Sequence, residues 1–234
     1  MNMKKFSFLF LFTILLVGTA RSEEPTVEHF TVNHLVYVIE YDGKSVSIAQ
    51  WDWDSGAVPT GHINIPSTVT YKNKRYTVRY IQSSVFRDCK EITSVTLPST
   101  IESIGAWAFQ YCSNLESINI PNSVGGIGKS AFEGCVSLKS IELPNSIGYI
   151  DYGTFLGCPF ESVLIPNSVT GIGCKAFCEC DKLTSVSLST SLQHIGIGAF
   201  SRCEQLRTIS LPKSLYLIGE GAFEGCDNLY LDRP

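Results

Sequence analysis

Apolar residues recur along this chain at one fixed step. Cysteines stand at Cys89, Cys112, Cys135, Cys158, Cys180, Cys203 and Cys226, at intervals of 23, 23, 23, 22, 23 and 23 residues. A phenylalanine precedes each by three positions: Phe86, Phe109, Phe132, Phe155, Phe177, Phe200 and Phe223. Between two cysteines runs one recurring sentence, seen in Leu115-Glu116-Ser117-Ile118-Asn119-Ile120-Pro121 and on through Val124, Ile127 and Gly128 to Ala131-Phe132. The shorter interval reflects one residue missing around Pro159-Phe160. Ile118 and Ile120 alternate with polar neighbours, as a half-buried strand requires. Pro121 ends that strand, because it has no N–H to donate. Val124 and Ile127 open a second short extended segment, which Gly128 closes in a tight turn. Ala131 and Phe132 are expected to begin a short helical turn that carries Phe and Cys inward. Such a unit cannot bury its own apolar side, so copies must stack into a column. The expected fold is therefore a mainly β repeat solenoid with short helical turns.

The chain ahead of the repeats reads differently. Leu35 to Tyr41 alternates as a strand, Asp42-Gly43 is a hairpin signal, and Ser45 to Ala49 can return antiparallel. A second hairpin is expected over Thr68 to Val78, turning at Lys72-Asn73-Lys74, as an insertion between Val69 and Ile81. Residues 21–80 are thus expected to form an N-terminal β cap over the first coil edge, which would otherwise invite strand pairing. Residues 81–234 form the solenoid, whose last coil is expected to stand uncovered. Residues 1–20 read as a secretory signal, with Lys4 and Lys5, an apolar run from Phe6 to Val17, and small Gly18-Thr19-Ala20 at the cleavage positions. That run is short of the ~20 apolar residues of a membrane span. The mature chain is expected to begin at Arg21 and to be secreted, with no transmembrane span.

The recurring LxxIx(I/L)P…(S/T)(I/V)xxIGxxAFxxC pattern resembles the BspA-like class of leucine-rich repeats over about residues 81–231. In this sequence Ser189 replaces the proline, and Asp151 and Thr154 replace the usual Gly and Ala. These departures are expected to loosen single coils. The resemblance implies a right-handed leucine-rich coil and an extracellular role. Proteins with this repeat are surface and secreted factors of gut and oral bacteria and of some parasitic protists, where attachment to host proteins or cells is implied.

Charge and reactive residues narrow the reading further. The formal charge is −4, from 18 basic and 22 acidic residues, and no stretch is rich in Lys or Arg. The electrostatic footprint of a nucleic-acid binder is missing. The seven ladder cysteines read as small core residues rather than disulfides, since parallel copies rarely aim their sulfurs at each other. Cys174, Cys178 and Cys180 make a CxxxCxC cluster. A zinc site would need a fourth ligand, and no histidine stands at metal spacing. Cys174 and Cys178 fall at positions held by Lys129, Glu133 or Ser201 in other units, so both are expected near the surface. The histidines, His29, His34, His62 and His194, show no triad spacing, and there is no GxSxG. The glycines recur as coil turns and make no phosphate loop. No catalytic residue, metal or cofactor is assigned, and a hydrolase is the remote alternative.

The candidate functional surface comes from positions that alternate with the buried ones. One outward column is Ser94, Ser117, Ser140, Ser162, Ser185 and Thr208; the other is Thr96, Asn119, Glu142, Leu164, Ser187 and Ser210. A polar sheet face of this kind suits recognition, and equally suits a sheet that must face water. Asn119, Glu142 and Leu164 are its candidate contacts. A second edge presents Tyr149, His194, Tyr216 and Leu217, beside Trp107 and Tyr111 on the turn side, and exposed aromatics are enriched where proteins bind. No N-x-Ser/Thr pattern would place a glycan over either face. The expected function is a secreted or cell-surface module binding an extracellular or host protein, or a glycan. The second reading is a structural protein whose copies pair through the C-terminal coil edge as a homo-oligomer.

Overall fold

The computed structural model describes residues 28–232, and side chains through Tyr230. The proposed signal segment therefore lies outside the described residues. The chain opens with an antiparallel meander of β1 (His29–Val32), β2 (Leu35–Ile39) and β3 (Ser45–Trp51). Thr68–Tyr71 and Lys74–Ile81 form a hairpin whose tip residues, Lys72 and Asn73, both have φ > 0. β3 then pairs in parallel with Lys74–Ile81, whose end pairs in turn with Ser103–Ile104. The cap is thus continuous with the repeat sheet. Gly61–Asn64, inside the expected cap, is already a rung of the solenoid, paired in parallel with Ile92–Thr96.

Three ladders of hydrogen bonds tie the coils together. The front ladder joins Gly61–Asn64, Ile92–Thr96 and Ser117–Asn119; after a gap it resumes with Ser162–Leu164, Ser185–Ser187, Thr208–Ser210 and Tyr230–Asp232. The side ladder runs from Lys74–Ile81 through Ser103–Ile104 to Gly126–Ile127; it resumes with Tyr149–Ile150, Gly171–Ile172, His194–Ile195 and Leu217–Ile218.

The third ladder corrects the expected helical turns. The segment around each Ala-Phe is a run of tight turns in which alternate N–H groups donate to the next coil. Ser130, Phe132 and Gly134 donate to the carbonyls of Tyr152, Thr154 and Leu156 at 2.8–2.9 Å. Trp107, Phe109 and Tyr111 do the same toward Lys129, Ala131 and Glu133. A helix would keep those donors within its own turn. Here the flanking positions adopt φ > 0 (Ser130 52°, Gly134 70°, Trp107 56°, Tyr111 59°), which turns every second N–H outward to the neighbouring coil.

The core is one continuous column. The seven phenylalanine rings stack with centroids 5.2, 5.4, 5.7, 5.3, 5.3 and 5.6 Å apart, and Trp51 of the cap sits 6.4 Å from Phe86 at the head of the stack. Beside it, the thiols of the ladder cysteines Cys112, Cys135, Cys158, Cys180, Cys203 and Cys226 each donate to a phenylalanine carbonyl in the preceding coil. Examples are Cys112 to Phe86 at 3.0 Å and Cys203 to Phe177 at 3.1 Å. Cysteine is thus both a small core residue and the donor that satisfies a buried carbonyl. Where Ser189 stands in place of proline, its hydroxyl accepts the Ser191 N–H and the turn is kept.

Candidate functional site

Two outer faces carry the sequence-derived candidates. On the front face, most of the outward column residues are exposed, and Leu164 is 69% accessible. Asn119 is exposed too, but its amide is already engaged. Its Oδ1 accepts the Leu97 N–H at 2.8 Å and its Nδ2 donates to the Leu97 carbonyl at 2.9 Å. The side chain thereby stands in for a strand and adds a rung. Glu142 is exposed in the next coil. The structure also brings together a pair that spacing did not show: His62 Nδ1 lies 2.7 Å from the Ser94 hydroxyl and its Nε2 lies 3.3 Å from that of Thr96. With hydroxyls on both ring nitrogens, no carboxylate orients the imidazole as a base.

On the side face, register places Tyr149, Gly171, His194 and Leu217 in one column. The rings of Tyr149 and His194 come within 5.7 Å across Gly171. A Cβ on Gly171 would fall 2.1 Å from His194 Nε2 and 2.8 Å from Tyr149 Cε2, so the missing side chain makes room for both rings. Burial pushes the Tyr149 phenol pKa up from its ordinary value. The adjoining column, fixed by the turn-ladder bonds to their carbonyls, is Tyr152, Cys174 and Ile197. Tyr152 and Ile197 were not among the sequence candidates. They occupy the variable position directly after the coil glycine, Gly196, or the Asp151 that replaces it, and reading that position coil by coil would have found them. Tyr149, Tyr152, Ile197 and Leu217 are 44–57% exposed, and Tyr216 is 75% exposed.

Trp107 and Tyr111 lie on the turn ladder rather than in this patch. The Lys129 ammonium sits 4.4 Å over the Trp107 ring. The Tyr111 hydroxyl donates to Glu133 at 2.9 Å, and that carboxylate, first among the causes, raises the phenol's pKa. The expectation that Cys178 is near the surface is corrected: it is buried, and only Cys174 of the cluster is partly exposed. The same position is exposed at Arg87 and Glu224, partly exposed at Glu133 and Ser201, and buried at Gln110 as at Cys178. Cys180 belongs to the core ladder and donates to Phe155. Among the described residues no group of three His, Cys, Asp or Glu side chains could hold a metal ion, and no helix is long and apolar enough to cross a membrane.

The repeat geometry has a counterpart among protein families. The model for the BspA type leucine rich repeat region matches residues 61–180 and 149–230, in six copies. The chain belongs to the BspA-type leucine-rich repeat family. Solved leucine-rich repeat structures agree with the fold. A leucine-rich repeat protein from Bacteroides ovatus ATCC 8483 is 36% identical, with a TM-score of 0.78 over 88% of this chain and 52% of that one. A leucine rich cell surface protein from Faecalibacterium prausnitzii A2-165 is 28% identical, with a TM-score of 0.77 over 88% of this chain and 54% of that one. The leucine rich repeat protein of T. pallidum is 29% identical, with a TM-score of 0.77 over 87% and 91% of the two chains. The chain spans about half the length of the first two. No curated protein matches it. BspA-type leucine-rich repeat proteins are generally surface and protein-interaction modules.

Proposed function

We propose that the chain is a secreted or cell-surface adhesion module that recognises an extracellular protein through the outer surface of its solenoid. The observation that carries this reading is the side-face patch. Tyr149, Tyr152, Ile197, Tyr216 and Leu217 gather exposed apolar surface onto the C-terminal coils of a rigid stack. Contiguous exposed apolar patches mark interaction sites, and tyrosines give large contact area for little lost conformational entropy. Residues 21–234 immobilised and screened against matrix proteins and glycans test it. A retained partner should be lost with Tyr149→Ser/Leu217→Ser and kept with Ser185→Ala on the front face. Retention unaffected by the double change would sink the assignment of this patch. A second reading pairs copies through the last coil. It is favoured by Ile218, which is 36% exposed although the matching Ile172 and Ile195 are fully buried. A mass that rises with concentration in sedimentation would support it.

A further inference from the structure

Most glycines of the repeat have a reason inside the chain. At Gly105, Gly128, Gly173, Gly196 and Gly219 a Cβ would fall 2.5–2.8 Å from the backbone of the preceding coil. At Gly134 it would meet the Tyr111 ring at 2.4 Å, and at Gly171 the rings of His194 and Tyr149 at 2.1 and 2.8 Å. Gly198 and Gly221 have φ of 60°. Gly125, Gly126 and Gly148 have none of these reasons. Their φ lies outside the left-handed region, and a Cβ on any of them would meet nothing within 4 Å. Gly126 is a strand residue paired in parallel with Ser103, in a backbone conformation open to any side chain. Glycine in a strand gives up conformational entropy and packing, and often marks the place where a ligand comes close to the backbone.

The three glycines adjoin on the side face. By repeat position, one outward column reads Glu102, Gly125, Gly148 and Thr170, and the column beside it Ser103, Gly126 and Tyr149. The sheet therefore carries a notch about two coil steps long, roughly 10 Å between Ser103 and Tyr149, floored by bare backbone. Gly125 and Gly148 are exposed and Gly126 partly so. The side chains around the notch do not fall into it. Tyr149 leans the other way, over Gly171 to His194, and Lys129 turns to the Trp107 ring at 4.4 Å. Tyr149, 44% exposed, forms one wall, where the notch joins the tyrosine patch. Glu102 forms the other. Its carboxylate accepts the Tyr80 hydroxyl at 3.1 Å and pairs with Arg79 at 3.5 Å, which leaves acceptor capacity unused.

We infer that this notch receives an aromatic side chain with a polar edge, a tryptophan or tyrosine, from the partner protein, and is the anchor point of the adhesion surface. The inference rests on the adhesion reading above and names what that surface grips. A flat ring can lie on bare peptide planes beside Tyr149, and its N–H or O–H can reach Glu102. An aliphatic anchor would cover that carboxylate without offering it a donor, at a desolvation cost. Aromatic residues seated in pockets carry much of the energy of protein interfaces. A side chain at any of the three positions would lift the ring off the sheet, and this supplies the reason for glycine that the fold does not.

The probe is N-acetyl-tryptophanamide, titrated into nitrogen-15-labelled protein while the glycine amide signals are followed by NMR. The signals of Gly125, Gly126 and Gly148 should move together and saturate, and N-acetyl-leucinamide should bind at least about tenfold more weakly. Gly126→Val and Gly148→Thr each put a strand-forming side chain into open space. Both should hold or raise the melting temperature and abolish the shifts, and Ser185→Ala on the front face should leave them unchanged. Still signals at the three glycines, equal binding of the two probes, or binding that survives Gly126→Val would each overturn the inference. A melting temperature lowered by both variants would do the same, because the fold itself would then require the glycines. A partner from the matrix screen that is lost with the Tyr149/Leu217 change but indifferent to Gly126→Val would leave the adhesion reading standing and this site refuted. Saturable tryptophan binding with no partner retained in that screen would do the reverse.

Discussion

Phe132→Ala tests the shared column most directly. The ring is fully buried and lies between Phe109 at 5.4 Å and Phe155 at 5.7 Å. Truncating a buried phenylalanine costs about 3–5 kcal/mol, and the cost rises with the cavity that remains. Here the neighbours cannot close the gap. The Phe109 N–H donates to Ala131 at 2.8 Å and that of Phe132 to Thr154 at 2.9 Å, and these rungs hold the coils apart at a fixed spacing. The expected loss is therefore in the upper half of that range. Phe223 offers an internal comparison. It is only partly buried and stacks on one described ring, Phe200, at 5.6 Å. Phe223→Ala should cost about half as much, in proportion to the contacts removed. Urea unfolding, followed by circular dichroism and by the fluorescence of the three tryptophans, Trp51, Trp53 and Trp107, gives both values with their slopes. A loss below about 1 kcal/mol at Phe132, or equal losses at the two sites, would refute the idea that coils share one interior.

Other predictions follow from single contacts. Gly196→Ala would set a Cβ 2.5 Å from the Cys174 amide nitrogen, and should destabilise by about 1–3 kcal/mol in the same melt; a neutral result would mean that the coils can part freely. Native protein treated with iodoacetamide at pH 8 should be modified chiefly at Cys174, while all nine cysteines react after unfolding. Burial pushes the Cys89 and Cys135 thiols up to about 12, so the folded chain keeps protons that the unfolded chain releases. Stability should accordingly be intact below the ordinary thiol range of ~8.5 and fall as pH rises from there toward about 12, with a flat alkaline profile as the contrary result. Asp42 is held down at about 2 by the backbone N–H groups of Lys44 and Ser45. Its contribution should be present above the ordinary carboxylate range and lost as pH falls through it toward about 2; Asp42→Asn should remove that acid-side dependence, as read by the melting temperature against pH.

The spine was readable in the sequence because stacking forces every coil to place the same residue at the same depth. Phe and Cys at a constant interval leave few other arrangements. The turn ladder was not readable for the converse reason. Its φ > 0 positions are filled by Ser84, Asp88, Trp107, Tyr111, Ser130, Lys175, Glu179 and Arg202 more often than by glycine. Left-handed backbone is costly for such residues, so a short Ala-Phe-x-x-Cys stretch reads as a helical turn until the neighbouring coil supplies acceptors. The same dependence on neighbours hid the burial of Cys178 and the clasp of Asn119 on Leu97. The solenoid register of Gly61–Asn64 was masked by the hairpin that interrupts the unit after it. The exposed side-face positions were legible where an aromatic stood before the repeat isoleucine, as at Tyr149. Tyr152 and Ile197 were missed because a variable position gains meaning only beside its counterparts in adjacent coils.

The departures from the repeat explain more than the repeat does. In sequence, Asp151 reads as a departure that loosens its coil, and the lost residue near Phe160 as the cause of one shorter interval. In three dimensions Asp151 sits in the same coil as Ser140–Glu142, where the rung that Gly128 and Gly173 make to the preceding coil is absent, and Phe160 lies in the coil that follows. A solenoid made of identical units has no reason to expose backbone in its middle, since every strand edge is covered by the next copy. Here the interruption is confined to the front and side ladders, while the turn-ladder bonds and the phenylalanine stack run through it, at a step of 5.7 Å against 5.2–5.6 Å elsewhere; the coils stay in line on the rungs that remain, so a local lapse in the repeat is absorbed without parting the column.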